Sequence, residues 1–223
     1  MNHYIIGAGG CGSWLAPALL MLNRGPVIVV DGDTLEPSNL NRQLFSAADI
    51  GKNKAVALAD RYDNLTAIPE YYRHGGIHFQ PDDVIFGCAD NHPARRAILE
   101  ACDEFQCRAC VAGNGYTDID AYWYTHHYRG TPKDPRVYYP DLLTDESGDP
   151  TRPRGCTGEV LNDTPQLVIA NIGAVYAALH LYWFYTEHNR DIPIETLDHW
   201  PLRHIGSAMR LSTLKHSHHG KTN

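Results

Sequence analysis

Residues 3–15, HYIIGAGGCGSWL, decide how the rest of the chain is read. An apolar run from His3 to Ile6 passes through a glycine-rich turn into SWLAPALLML, a helix with Pro17 expected in its first turns. Gly7-Ala8-Gly9-Gly10-Cys11-Gly12 satisfies G-x-G-x-x-G. Small residues between a strand and a helix let backbone N–H groups approach a phosphate at the helix N-terminus, where the peptide dipoles favour an anion. Gly7, Gly9, Gly10 and Gly12 are therefore candidate nucleotide contacts. The plainer alternative is that Gly9 and Gly12 only permit close helix–strand packing. PVIVVD, residues 26–31, reads as a second strand ending in Asp31. That acid lies at about the usual separation for one that accepts hydrogen bonds from ribose hydroxyls. Strand, loop, helix and acid in register point to a nucleotide, without separating NAD, FAD and ATP.

Outward from this unit, strand-like and helix-like runs alternate. DIGKNKAVALADRY (49–62) has Ala55, Leu58, Ala59 and Tyr62 at helical spacing, with Asp49 as N-cap. TAIPEYYR (66–73) and DVIFGCAD (83–90) read as strands, and HPARRAILEACDEF (92–105) as a helix with Pro93 near its start. CRACVAGN (107–114) and DAYWYTHHYRG (120–130) follow as strands, the second alternating as an antiparallel one does. His126 and His127 would then face opposite sides of that strand and could not chelate together. The pattern predicts an α/β, Rossmann-like doubly wound fold. Its sheet would be mostly parallel, with an antiparallel extension and a long crossing loop.

A single domain over 1–223 is expected. Residues 130–164, rich in proline and acidic residues, are too long for an ordinary connection and read as a crossing loop or lid. LVIANIGAVYAALHLYWFY (167–185) is almost wholly apolar, broken by Asn171 and His180; it reads as a helix buried on all sides, with part of that burial in a subunit interface as an option, rather than a membrane span. SAMRLSTL (207–214) reads as a last strand and 216–223 as a disordered tail. The net charge of −7 argues against a general nucleic-acid binder and against attraction to an anionic membrane. Six cysteines and no signal-peptide pattern make a reducing cytoplasm the default.

The discriminating stretch is SNLNRQLF, residues 38–45. An ordinary dinucleotide site has no evident use for Asn39 and Arg42 beside the end of the second strand. Three apart, they share a face on one helical turn. Lys54 opens the next helix, and Asp90 follows the fourth strand at the carboxyl edge of the sheet, where ligands of such sheets bind. Two cations with an acid placed for magnesium suit a triphosphate better than a dinucleotide pyrophosphate. G-x-x-x-x-G-K-[ST] is absent from the sequence, so this is not a P-loop protein.

In this order, GAGGCGS, VDGDTLEPSNLNRQLF, DIGKNKA and CADNHPAR closely resemble the ThiF/MoeB and ubiquitin-activating (HesA/MoeB/ThiF) family of adenylating enzymes. The resemblance covers residues 3–115 in register and 156–185 more loosely. It implies ATP contacts at Gly10 and at Asp31, with Asp33 and Ser38 in the same site. It also implies phosphate contacts from Asn39, Arg42, Gln43 and Lys54, with Lys52 a weaker candidate. Asp90 would hold magnesium beside Asn91. The implied partner is a small ubiquitin-like or sulfur-carrier protein, whose free C-terminal carboxylate attacks the α-phosphate on a homodimeric enzyme. Alternatives are adenylation of a peptide or of a tRNA-linked carboxylate, or a scaffold of the same fold that has lost catalysis. The plainer role for Arg42 is an ion pair with Asp33 or Glu36.

Cys156, in RGCTGEVLNDTP, occupies the place where relatives with a thiol step carry their cysteine. A thiolate there could take the acyl group from AMP as a thioester, or join it through a persulfide; the plainer alternative is a packed cysteine with no covalent role. Two C-x-x-C pairs that hold zinc in many relatives are reduced here to Cys107-x-x-Cys110. No zinc is expected, and Cys102, Cys107 and Cys110 are assigned to the core. In relatives, helices ahead of the first strand carry an arginine into the partner subunit's site; the expectation here is a chain without them, in which either Arg61 or Arg73 substitutes or activity is weakened.

Overall fold

β-Branched and aromatic runs pair into one sheet because the segments between them supply helices for both faces. In the computed structural model, described for residues 1–114, 119–146, 168–187, 202–205 and 208–211, the strands are β1 (His3–Ile6), β2 (Val27–Val30), β3 (Leu65–Ile68), β4 (Val84–Gly87), β5 (Arg108–Asn114), β6 (Ile119–Thr125), β7 (Leu202–Ile205) and β8 (Ala208–Leu211). They lie in the order β3-β2-β1-β4-β5-β6-β8-β7. From β3 to β5 the neighbours are parallel; β6, β8 and β7 extend the sheet with antiparallel pairs. This is the expected doubly wound architecture. β7, which the sequence reading did not anticipate, adds an edge.

The helices are α1 (Gly10–Leu22), α2 (Lys54–Ala59), α3 (His92–Phe105), the short α4 (Pro135–Tyr138) and α5 (Asp141–Thr144), and α6 (Val168–Glu187). Alternate strand residues feed two cores. Ile5, Val27, Val29, Val84 and Phe86 pack with α1, α2 and α6, while Ile6, Val30, Ile85 and Val111 pack with α3. Burial on both faces explains why the central strands read as continuous apolar runs. Cys102, Cys107 and Cys110 are fully buried, as assigned.

Four local readings are corrected. The helix after β2 begins at Lys54, not at residue 49, with Asn53 as its N-cap, accepting from the Val56 N–H at 3.1 Å. Asp49 instead closes the 3-10 turn Ala47–Asp49 by accepting from Ser46, and it pairs with Arg61. Pro17 lies well inside α1, beyond its first turns. His126 and His127 leave β6 in a 3-10 turn, so their rings stand 3.8 Å apart rather than on opposite faces.

α6 is long and apolar enough to cross a membrane by length and composition, yet it packs against β5, β6 and α1. It is not buried on all sides: Ile169, Ile172, Tyr176 and Trp183 are exposed along one face. Residues 130–146, the first part of the expected crossing loop, are held on α3. Arg136 binds Asp103 and Asp134, and Arg96 binds the carbonyls of Leu142 and Leu143 and the Glu146 carboxylate. The rest of that loop, Cys156 included, and the tail 216–223 lie outside the described residues.

The tightest approach in the fold is between α1 and its own loop: a side-chain carbon on Gly12 would stand 1.8 Å from the Gly7 carbonyl oxygen. Backbone cannot yield as a flexible side chain does. Gly12→Ala is therefore expected near the upper end of the ~1–3 kcal/mol cost of overpacking. At about 2–4 °C per kcal/mol for a chain of this size, that is a fall of roughly 6–10 °C in melting temperature. Thermal melts of the two proteins check it; an unchanged midpoint would mean the contact relaxes freely.

Candidate functional site

The strand order reverses between β1 and β4, which opens a crevice at their carboxyl ends. The segments leaving these strands touch there. Gly7, at φ +98°, would place a side chain 2.9 Å from the Ala89 nitrogen. Only glycine meets both demands, a left-handed backbone and contact with the chain just before Asp90. The glycine loop and the magnesium candidate are thus brought together by the topology.

α1 begins at Gly10, and its N-cap, Gly9, supplies no side-chain cap, so its first-turn N–H groups face the crevice as an anion site. Gly9 is the open position of the loop, its nearest neighbour being Gln43 Nε2 at 3.8 Å from a built side-chain carbon. Gly12 is a packing glycine, the plainer alternative for that position.

Asp31 has a structural task beside any ribose contact. Its Oδ2 accepts from the Ala8 N–H at 2.5 Å and its Oδ1 from the Asp33 N–H at 2.7 Å. Burial pushes its carboxyl up, while the Lys54 charge and these two N–H groups pull it down; burial prevails. Asn53 donates to the carbonyls of Asp31 and Asp33, at 2.8 and 3.1 Å, fixing α2 to the end of β2.

Lys54, nearly buried, pairs with Asp33 at 2.8 Å. Asp33 also accepts from the Tyr71 hydroxyl at 2.7 Å, which pushes that phenol up to about 12. Burial would raise the Asp33 carboxyl; the hydrogen bonds and charge of Lys54, with Tyr71, outweigh it and hold it below the ordinary range. A phosphate would have to draw Lys54 from Asp33.

Arg42 is not paired with Asp33 or Glu36: its Nη1 donates to the Ser38 carbonyl and to Asn41 Oδ1, each at 3.0 Å. Asn39 caps its own turn, its Oδ1 accepting from the Glu36 N–H at 3.1 Å, and Ser38 is exposed. Gln43 is buried beside the glycine loop. Asp90 is exposed at the end of β4, and Asn91 caps α3 by accepting from the Ala94 N–H at 2.8 Å.

Lys52 pairs outward with Asp60 at 3.0 Å. Arg61 is tied to Asp49 and, at 2.8 Å, to the Leu44 carbonyl within its own chain, a structural engagement; Arg73 is exposed. The sequence reading missed Arg95. Its Nε donates to the Ala89 carbonyl at 3.2 Å, and its Nη2 lies 2.5 Å from where a side chain on Gly113 would begin. This places a further cation over the carboxyl end of β5, signalled in the sequence only by its position after CADN.

Among the described residues no group of three or more His, Cys, Asp or Glu is arranged to hold a metal by itself. A single exposed carboxylate suits magnesium that arrives with phosphates, since that ion takes one or two carboxylates and keeps phosphate or water ligands.

A model of the ThiF family matches residues 1–197. Ubiquitin-like modifier-activating enzyme 5 of Dictyostelium discoideum is 32% identical over 124 residues, spanning 47% of this chain and 32% of that protein. A ubiquitin-activating enzyme E1-like protein of Saccharomyces cerevisiae is 36% identical over 104 residues, spanning 42% of this chain and 16% of that one. The chain thus spans about a third, or less, of these relatives. Among solved structures, E. coli MccB with ATP superposes with a TM-score of 0.59 at 21% identity, over 82% of this chain and 55% of MccB. MccB with AMPCPP and MccA gives 0.56 at 21% identity over the same shares. At that identity the likeness is one of fold.

The Asp33 pairing makes a pH-dependent contribution to stability. A carboxyl whose folded pKa is depressed stabilises above its unfolded value, about 3.9, and loses that contribution as pH falls through the folded value. Asp33→Asn should therefore melt below the wild type at neutral pH, with the gap closing in acid as pH falls below the ordinary carboxylate range. Melts at both pH values test this; a gap that persists in acid would mean the loss is one of packing.

Proposed function

The chain belongs to the ThiF family, and on that premise we propose that it is an ATP-dependent adenylating enzyme. Its substrate would be the C-terminal carboxylate of a ubiquitin-like or sulfur-carrier protein. The observation that carries the reading is the crevice between β1 and β4. The uncapped helix N-terminus lies there, with Lys54 linked to the glycine loop through Asp33 and Asp31, the Arg42 carbonyl held by Trp14 of the same helix, and the residue before Asp90 against Gly7. A dinucleotide site would use the glycine loop and Asp31 and leave the others idle.

A terminal carboxylate is ionised at neutral pH, so the attack needs no general base. A carboxylate oxygen bonds to the α-phosphorus as the bond to the bridging oxygen breaks, and pyrophosphate leaves with the electron pair. The products are acyl-adenylate and pyrophosphate. The obstacle is charge, because an anion approaches a polyanion and more negative charge gathers on the leaving group. The first-turn N–H groups of α1 and the Gly9 opening would seat phosphate. Arg42 and Lys54 would oppose its charge, Lys54 by exchanging Asp33 for phosphate. Magnesium, when bound, supplies further neutralisation, and Asp90 is the residue that would hold it. Removing one such stabiliser costs ~10²–10³ in rate at comparable sites.

Cys156 would follow this step by receiving the acyl group as a thioester, its thiolate sulfur bonding the acyl carbon as the bond to the phosphate oxygen breaks and AMP leaves. The exposed apolar face of α6, with Ile169, Ile172, Tyr176 and Trp183, supports a homodimer. The low cysteine density supports a cytoplasmic setting.

Calorimetric titration with ATP and magnesium, with NAD as control, tests the reading without the partner. ATP should bind in a magnesium-dependent manner and NAD should not; binding of NAD alone, or of neither nucleotide, would overturn it. Asp90→Ala should keep the wild-type melting temperature and lose the magnesium dependence of ATP binding. Cys156→Ala should bind ATP as the wild type does.

A further inference from the structure

The Arg42 backbone is gripped from two helices. Trp14 Nε1 on α1 donates to the Arg42 carbonyl at 3.0 Å, and Asn171 Nδ2 on α6 donates to the same oxygen at 3.3 Å. One residue pair further on, the Leu44 N–H donates to Ser13 Oγ at 3.0 Å. Asn171 is fully buried in a mostly apolar helix, and its Oδ1 has no hydrogen-bond partner among the described residues. A buried amide with an orphan acceptor is costly to keep unless its position serves something. Its amide also lies flat on the glycine loop. A side-chain carbon on Gly10 would stand 2.6 Å from Asn171 Oδ1 and 2.7 Å from Nδ2.

From this geometry we infer that Trp14 and Asn171 are positioning residues which set the Arg42 arm against the glycine loop. The inference rests on the ATP reading above. Arg42 itself extends from a short turn whose only intrinsic ties are local: its guanidinium bonds Ser38 and Asn41 within the same turn. The segment is tied to the fold at Leu44, through Ser13 and Arg61, and the Trp14 and Asn171 donors add a tie at Arg42 itself, fixing its carbonyl to α1, whose N-terminus would seat phosphate, and to α6. Gly10 is then required for a reason beyond ligand approach: any side chain there would displace the amide that reaches Arg42. Asn171 also joins the arginine to the helix that follows the Cys156 segment.

The test is a double-mutant cycle read by calorimetry with magnesium and ATP on the full chain. Trp14→Phe keeps an aromatic ring but removes the donor along with part of the ring volume packed on the core, and Asn171→Ala removes the other donor, so the Arg42→Ala background separates positioning from packing. Net hydrogen-bond contributions of about 0.5–1.5 kcal/mol correspond to roughly 2- to 12-fold in affinity. Each variant should weaken ATP binding by an amount in that range. In an Arg42→Ala background each should cost less than about 1.5-fold more, because neighbours that act through one residue are not additive. Equal losses in both backgrounds would overturn the inference and leave a purely structural role. Unchanged affinity of Trp14→Phe in the wild-type background would overturn it too, even if Asn171→Ala fails to fold. A wild-type protein that binds no ATP would sink the function reading itself, and this inference with it. Wild-type binding with additive variants sinks the inference alone.

Discussion

The carboxylate of Asp31 holds two backbone N–H groups at once, one from the glycine loop and one from the turn after β2. Without it, the loop leaving β1 and the chain leaving β2 would each carry an unsatisfied donor in a nearly closed space. With it, the Ala8 loop, the Asp33 turn and, through Asn53, the start of α2 become one unit. That unit stands at the carboxyl edge of a parallel sheet whose two faces are buried. The first-turn N–H groups of α1 are left without a side-chain cap in the same place. Satisfying some donors and leaving others open turns a packing motif into a candidate anion site.

Charge around the crevice is arranged in a resting state. Lys54 is neutralised by Asp33, and Arg42 is folded onto its own turn rather than onto an acid. A nearly buried ammonium without a partner would be expensive, and Asp33 supplies its counter-charge and holds it in place. Tyr71 adds a second contact to that carboxylate and helps hold it charged. The arginine, only partly buried, keeps its guanidinium on its own turn and is anchored through its backbone carbonyl.

Much of this was legible in the sequence. The parallel core followed from apolar runs alternating with helical spacing, and the antiparallel extension from the period of DAYWYTH. The glycine loop, Asp31, Arg42, Lys54 and Asp90 were picked out as site candidates by their places relative to strand ends. Local boundaries were less legible. Asp49 looked like a helix cap because an acid before an apolar run commonly is one, but Asn53 lies nearer and can also reach the carbonyls of β2's end. His126 and His127 looked like strand residues because nothing local announced that β6 stops at Thr125. α6 looked buried on every side because composition cannot say which face a sheet leaves uncovered.

What the sequence determined by itself is the order and type of the central elements, and the residues carrying charge at their ends, because periodicity and turn chemistry act over a few neighbours. Only the tertiary structure decided which of these residues meet. Gly12 proved to be spacing for the Gly7 carbonyl. Lys54 proved to be paired with Asp33. Asn171, 129 positions from Arg42 along the chain, proved to share its carbonyl with Trp14. Such contacts depend on how α1, α6 and the sheet edge pack in three dimensions, and no local pattern records that distance.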